Sequence, residues 1–194
     1  MEIGTAIKAL RLARGLTLDA LAGRSGVSRA MLSEVERGVK NPTIRVAGQI
    51  AEALETTISA LLGETPPPDT HAPHVTRRAA QRTLLDPHSG VTRQSLAPAY
   101  AARGVEVLRY HLPPGATTGT FPPHRPGTVE QLTVIAGQLA CTLGAHEPTR
   151  HIVLLEEGDA LFFEADLAHT FTNPGPHSAH YLLIIDASQA RASR

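Results

Sequence analysis

LTLDALAGRSGVSRAMLSEVERGVKNPTIRVAGQIAEAL, residues 16–54, decides the fold of the first part of the chain. Thr17 stands where it can cap a helix, TLDALAGRS, and Ser28 where it can cap the next, SRAMLSEVERG. Two helices that meet at a steep angle need a small residue at their contact, which Ala22 supplies. The turn between them needs a residue tolerant of positive φ, and Gly26 stands four positions later. Val27, Leu32 and Val35 then anchor the second helix to a core. This register predicts a helix-turn-helix.

The flanks agree. Upstream, Ile3, Ile7 and Leu10 lie at helical spacing, and Gly15 can end that helix. Gly38 closes the second helix of the pair. Pro42 opens a further one, with Ile44, Ala47, Ile50, Ala51 and Leu54 along one face. Thr57 opens a last short helix, ISALL, ended by Gly63. No strand pattern appears before residue 64.

After Gly63 the chemistry changes. ETPPPDTHAP, residues 64–73, is a stiff polyproline linker by composition. Beyond it VEVLRYHL, VEQLTVIAGQLACTL, HIVLLEEGDALFF and HYLLIID are β-rich runs, separated by PPGA, GAHEP, EEGD and NPGP turns. An antiparallel barrel or sandwich follows over 74–194. Residues 1–63 carry eight Lys and Arg against six Asp and Glu; residues 64–194 carry ten against twelve, with all ten histidines. A net excess of two basic residues does not by itself identify a nucleic-acid partner.

Of the 194 residues 42% are apolar and 19% charged, which suits packed cores and excludes a disordered chain. No run approaches the roughly 18 apolar residues of a membrane helix. No hydrophobic signal segment follows Met1, so a cytoplasmic location with no membrane partner is expected. The single cysteine, Cys141, excludes a disulfide framework; in LACTL it reads as a buried strand residue.

The first segment resembles the lambda-repressor-like, XRE family over residues 3–63, most specifically in its GVS…LS…ERG string. The resemblance implies that the second helix of the motif lies in the major groove of an operator in double-stranded DNA. Ser28, Arg29, Ala30, Ser33 and Glu34 would then face bases or flanking phosphates, with Thr17 beside them, and Arg37, Lys40 and Asn41 would reach the backbone. Arg29 can donate two hydrogen bonds to a guanine edge, and Ser28 with the helix N-terminus can hold a phosphate. Arg11 and Glu36 match a structural ion pair of the family. Leu18 stands where the family commonly has Gln, so one DNA contact is missing there.

The second segment holds GTFPPHRPGTVEQLTVIAG, residues 119–137, and GDALFFEADLAHTFTN, residues 158–173. A β-barrel can turn His124, Glu130 and His169 into one lumen, and two imidazoles with a carboxylate suit a divalent transition metal. The strings resemble the two motifs of the cupin superfamily over residues 75–187. That resemblance makes His124, Glu130 and His169 metal-ligand positions for zinc, iron, manganese or nickel. Pro126 takes the place of a fourth ligand, and Glu164 and Asp166 replace a proline and a glycine. The other reading is a metal-free pocket in which these side chains, with Tyr110, hydrogen-bond an organic effector. His111 and His180 lie on strands that can face the lumen; His146, His151, His177 and Arg125 read as solvated.

Together the halves resemble bacterial regulators in which an XRE-type helix-turn-helix precedes a cupin sensor. The expected fold is multidomain: an all-α domain followed by an all-β double-stranded β-helix, or jelly-roll, barrel. A homodimer would set two recognition helices one DNA turn apart. A small molecule in the barrel would change operator affinity, helped by the stiff linker. Two alternatives stand beside it: a metal-dependent dioxygenase or isomerase with an accessory DNA-binding domain, and an antitoxin-like protein-partner module, which leaves the barrel's polar lumen without a role.

Overall fold

The computed structural model describes residues 3–63, 73–144 and 150–190. Five helices come first: α1 (Ile3–Ala13), α2 (Leu18–Ser25), α3 (Arg29–Glu36), α4 (Ile44–Ala53) and α5 (Ile58–Leu61). Side-chain caps set four of their starts. Thr17, Ser28, Thr43 and Thr57 accept from the backbone N–H of Ala20, Met31, Val46 and Ala60 at 3.1, 3.3, 3.2 and 3.1 Å. Gly26 has φ 68°, and its N–H returns 2.9 Å to the Ala22 carbonyl, so the turn between α2 and α3 is made as the sequence predicts.

Ala22 of α2 is half-buried and packs against the helical core, and a second close approach joins α1 to α3. A Cβ at Gly4 would collide with the Val35 carbonyl, so α1 and α3 meet backbone to backbone. Across that seam Arg11 Nε and Nη2 fork onto Glu36 Oε1 and Oε2 at 2.7 and 2.8 Å, and Nη1 donates to the Leu16 carbonyl at 2.8 Å. Ile7, Leu21, Leu32, Ile44, Ile50 and Leu54 fill the core beneath.

Among the described residues the β part has two 3₁₀ turns, Arg78–Ala80 and Pro98–Arg103, and ten strands. These are β1 (Thr83–Leu85), β2 (Thr92–Ser95), β3 (Val105–Leu112), β4 (Thr117–Phe121), β5 (Val129–Ala136), β6 (Leu139–Leu143), β7 (His151–Leu155), β8 (Ala160–Glu164), β9 (His169–Thr172) and β10 (Ala179–Asp186). They form two antiparallel sheets, ordered β1-β2-β3-β10-β5-β8 and β4-β9-β6-β7. Alternation puts Leu108, Tyr110 and Leu112 of β3, and Tyr181 and Leu183 of β10, in the interior. The same alternation corrects the expectation for His111 and His180. They face each other in register on the outer face, their ring centroids 4.8 Å apart, because their neighbours Tyr110, Leu112 and Tyr181 are the buried ones.

Asn173 fixes the turn after β9. Its amide donates to the carbonyls of Leu112, Pro113 and His177 at 3.0, 3.1 and 2.8 Å, and its Oδ1 accepts from Gly175 N–H at 2.9 Å. Cys141 is fully buried, and burial, with the Glu130 charge behind it, pushes its thiol up to about 12. At pH 8 the thiolate fraction is therefore negligible. A thiol reagent is expected to label none of the native protein and one site per chain after denaturation; rapid labelling of native protein contradicts that packing.

Beside the linker that the sequence predicts, the two parts meet directly. The expected polyproline segment falls, save for Pro73, outside the described residues, as does His146. What joins the parts among the described residues is a packed seam. A Cβ on Gly48 of α4 would lie 3.3 Å from the Phe121 ring of β4, and Arg45 crosses Gly119. Deeper in, Arg93 of β2 reaches Ser59 Oγ of α5 at 3.4 Å from both Nη1 and Nη2, while Nη2 binds Glu106 Oε1 at 2.8 Å. No described helix is long and apolar enough to cross a membrane.

Candidate DNA-reading face and barrel site

Thr17, Ser28, Arg29, Ala30, Arg37, Lys40 and Asn41 are exposed; Ser33 and Glu34 are half-buried. Thr17 and Ser28 spend a side-chain lone pair on their caps. Arg29 leans on Asp19 at 3.1 Å and Lys40 on Glu34 at 2.8 Å. Such solvated pairs are worth about 0–1 kcal/mol, so an approaching phosphate or base edge can displace them at little cost. Leu18, in place of the family's Gln, packs partly against the helical core.

His124 lies in the loop after β4, Glu130 on β5 and His169 on β9. The antiparallel pairing of β4 with β9, and of β5 with β8 and β10, turns all three inward. One ligand atom from each lies within 4.8 Å of the others. His124 Nε2 is 3.1 Å and His169 Nε2 3.4 Å from Glu130 Oε1. His169 Nδ1–H donates to the Leu167 carbonyl at 2.9 Å, which orients the ring so that Nε2 faces Glu130. Phe121, Phe163 and Phe171 pack around the His169 ring.

Electrostatics binds the group together. Burial alone would push the Glu130 carboxyl up; attraction to His169 and hydrogen bonds from both histidines outweigh it and hold it at about 2. Burial alone would lower His124, and the carboxylates of Glu130 and Glu52 instead raise it to about 9. Glu130 is only 1% exposed, and its Oε2 has no hydrogen-bond partner. A buried carboxylate oxygen without a partner, beside two imidazole nitrogens already aimed at its twin, fits a divalent metal. His124, Glu130 and His169 would hold it, and it would supply Lewis acidity and open positions for a small ligand.

The cavity over these atoms is about 90 Å³. Both parts of the chain wall it: Gly48, Ala51, Glu52, Thr56, Thr57 and Ile58 on one side, and Arg93, Tyr110, Arg125 and Thr128 with the three site residues on the other. Tyr110 both lines the cavity and stacks on Tyr181 at 5.0 Å, and burial pushes its hydroxyl up. Arg125 is half-buried and lines the cavity, which corrects its reading as solvated; His151 and His177 are exposed. Sequence reasoning missed Arg93, Glu106 and Glu52. Arg93 and Ser95 are the buried alternates of TRQS, a signal masked by their polarity.

A helical DNA-binding domain seated on a cupin barrel defines a class of regulator. Family models agree, with Helix-turn-helix matching residues 7–61 and Cupin domain residues 108–185. The HTH-type transcriptional regulator SutR of Escherichia coli K12 is 30% identical over 94% of this chain and 93% of its own length. The chain belongs to this XRE family of helix-turn-helix transcriptional regulators with a cupin domain. The crystal structure of an HTH_3 family transcriptional regulator from Vibrio cholerae superposes with TM-score 0.75 at 27% identity, over 99% of this chain and 96% of that one. The iron(II) form of HppE shares the fold, with TM-score 0.52 at 21% identity over 95% and 97% of the two chains.

Proposed function

We propose that this DNA-binding regulator works in the cytoplasm as a homodimer whose operator affinity responds to a small ligand bound over a divalent metal at His124, Glu130 and His169. The observation that carries the proposal is the cavity itself, walled on one side by the DNA-binding domain. A ligand there touches both halves and can favour one arrangement over another, which is what coupling of two sites requires. The cavity suits a small-molecule effector. Phe162, Ile184, Ile152 and Leu154 are exposed on the outer faces of the sheets and offer apolar surface for a second copy. An enzyme reading would use the same three residues; the exposed start of α3, with Ser28 and Arg29, favours the regulator.

Selection of duplexes from random-sequence DNA tests this reading. The enriched sites are expected to carry two-fold-related half-sites about one helical turn apart. On the best duplex Arg29→Ala should lose about 1–3 kcal/mol with little loss on random DNA. Lys40→Ala should weaken both alike and lower the salt slope by about 1. Enrichment of no sequence contradicts the function, and unchanged selectivity in R29A contradicts this docking of α3.

A further inference from the structure

We infer that Glu52, on α4 of the DNA-binding domain, is a positioning residue for the barrel site, holding the outer ring nitrogen of His124 so that the inner one faces Glu130. The inference rests on the metal reading above. Glu52 Oε2 lies 3.6 Å from His124 Nδ1, while His124 Nε2 lies 3.1 Å from Glu130 Oε1. The ring is thus spanned by two carboxylates, one from each part of the chain.

Histidines that ligate metals commonly give their other nitrogen to a carboxylate or a carbonyl, which orients the ring and raises its basicity. His169 has such a partner within the barrel, the Leu167 carbonyl. Among the described residues the carboxylate at the outer nitrogen of His124 comes from across the seam. Glu52 reaches His124 because Gly48, one turn earlier on α4, lets the helix lie against Phe121. The seat of α4 on the barrel therefore sets the position of a site residue. By reciprocity, whatever tightens the site favours the seated arrangement of the DNA-binding domain by the same free energy. This gives the coupling a path of one side chain.

The test is titration of the full-length chain with Co²⁺, followed by its d–d absorption. Glu52→Ala is expected to weaken Co²⁺ binding about 10–100-fold. Glu52→Gln, which keeps an acceptor for Nδ1–H but loses the charge, should fall between. Glu55→Ala, exposed in the turn that follows α4, should bind as wild type. Gly48→Leu raises helix propensity, yet its side chain must push α4 away from Phe121, so it should weaken Co²⁺ binding without removing a carboxylate. Circular dichroism checks that each variant is folded. Binding of Co²⁺ by E52A within twofold of wild type overturns this inference and leaves the metal site standing. A wild-type chain that binds no Co²⁺ overturns both.

Discussion

Arg11→Met is expected to unfold the DNA-binding domain well below the temperature at which the wild-type domain melts. The substitution keeps most of the aliphatic stem and removes both hydrogen bonds to Glu36 and the one to the Leu16 carbonyl. The Glu36 side chain is 5% exposed, so its charge is left in the α1–α3 seam without a partner. Orphaning one member of a buried pair costs about 3–5 kcal/mol. For a domain of this size each kcal/mol moves the melting temperature by roughly 4–8 °C, so the shift should exceed about 10 °C. Glu36→Leu in the Arg11→Met background should restore much of the loss, because it is the unpaired charge that is expensive. Thermal melts followed by helical circular dichroism decide it. A shift of only a degree or two in R11M would mean that the pair is solvated and contributes as little as a surface bridge.

Glu130→Ala carries the other large effect. It leaves two imidazoles with no carboxylate between them and removes the centre to which both Nε2 atoms point. Divalent metal binding should fall by far more than the about 10–100-fold expected for loss of an outer partner such as Glu52. His169→Ala should behave alike, since a three-ligand site reduced to two is weak. Calorimetric titration with Zn²⁺ measures both. If E130A bound Zn²⁺ as tightly as wild type while losing thermal stability, the three residues would be an internal ion-pair cluster and not a ligand site.

Much of this was legible in the chain, and the reasons are local. Caps at Thr17 and Ser28, the glycine at 26 and the apolar spacing of α3 and α4 are dictated by backbone chemistry within a few residues, so the helical part could be read directly. The long strands announced themselves by alternation in VEVLRYHL and HYLLIID. β1, β2, β4 and β9 did not, because their residues are short or polar: TRQS buries an arginine, and TTGTF buries Thr118. The residues His124, Glu130 and His169 stood out because the two cupin strings are themselves local patterns. What could not be read is the seam. Gly48 against Phe121, Ser59 beneath Arg93 and Glu52 beside His124 pair residues about 34–73 positions apart, and each looks ordinary on its own helix or strand. The α4 pattern was read for its apolar face, and Glu52 lies off that face. The sequence shows the linker between the halves; the packed seam is the more direct route.

The central claim is that the barrel site and the DNA-reading face form one coupled device. The most direct measurement is the affinity of the wild-type chain for its selected duplex, at fixed salt, with and without saturating Co²⁺, alongside the same pair of values for E130A. Coupling free energies between sites are typically about 1–3 kcal/mol. The wild-type affinities should therefore differ by about 5–150-fold, and those of E130A should coincide. A wild-type chain that binds Co²⁺ at the site yet holds the duplex equally well with and without it would contradict the account.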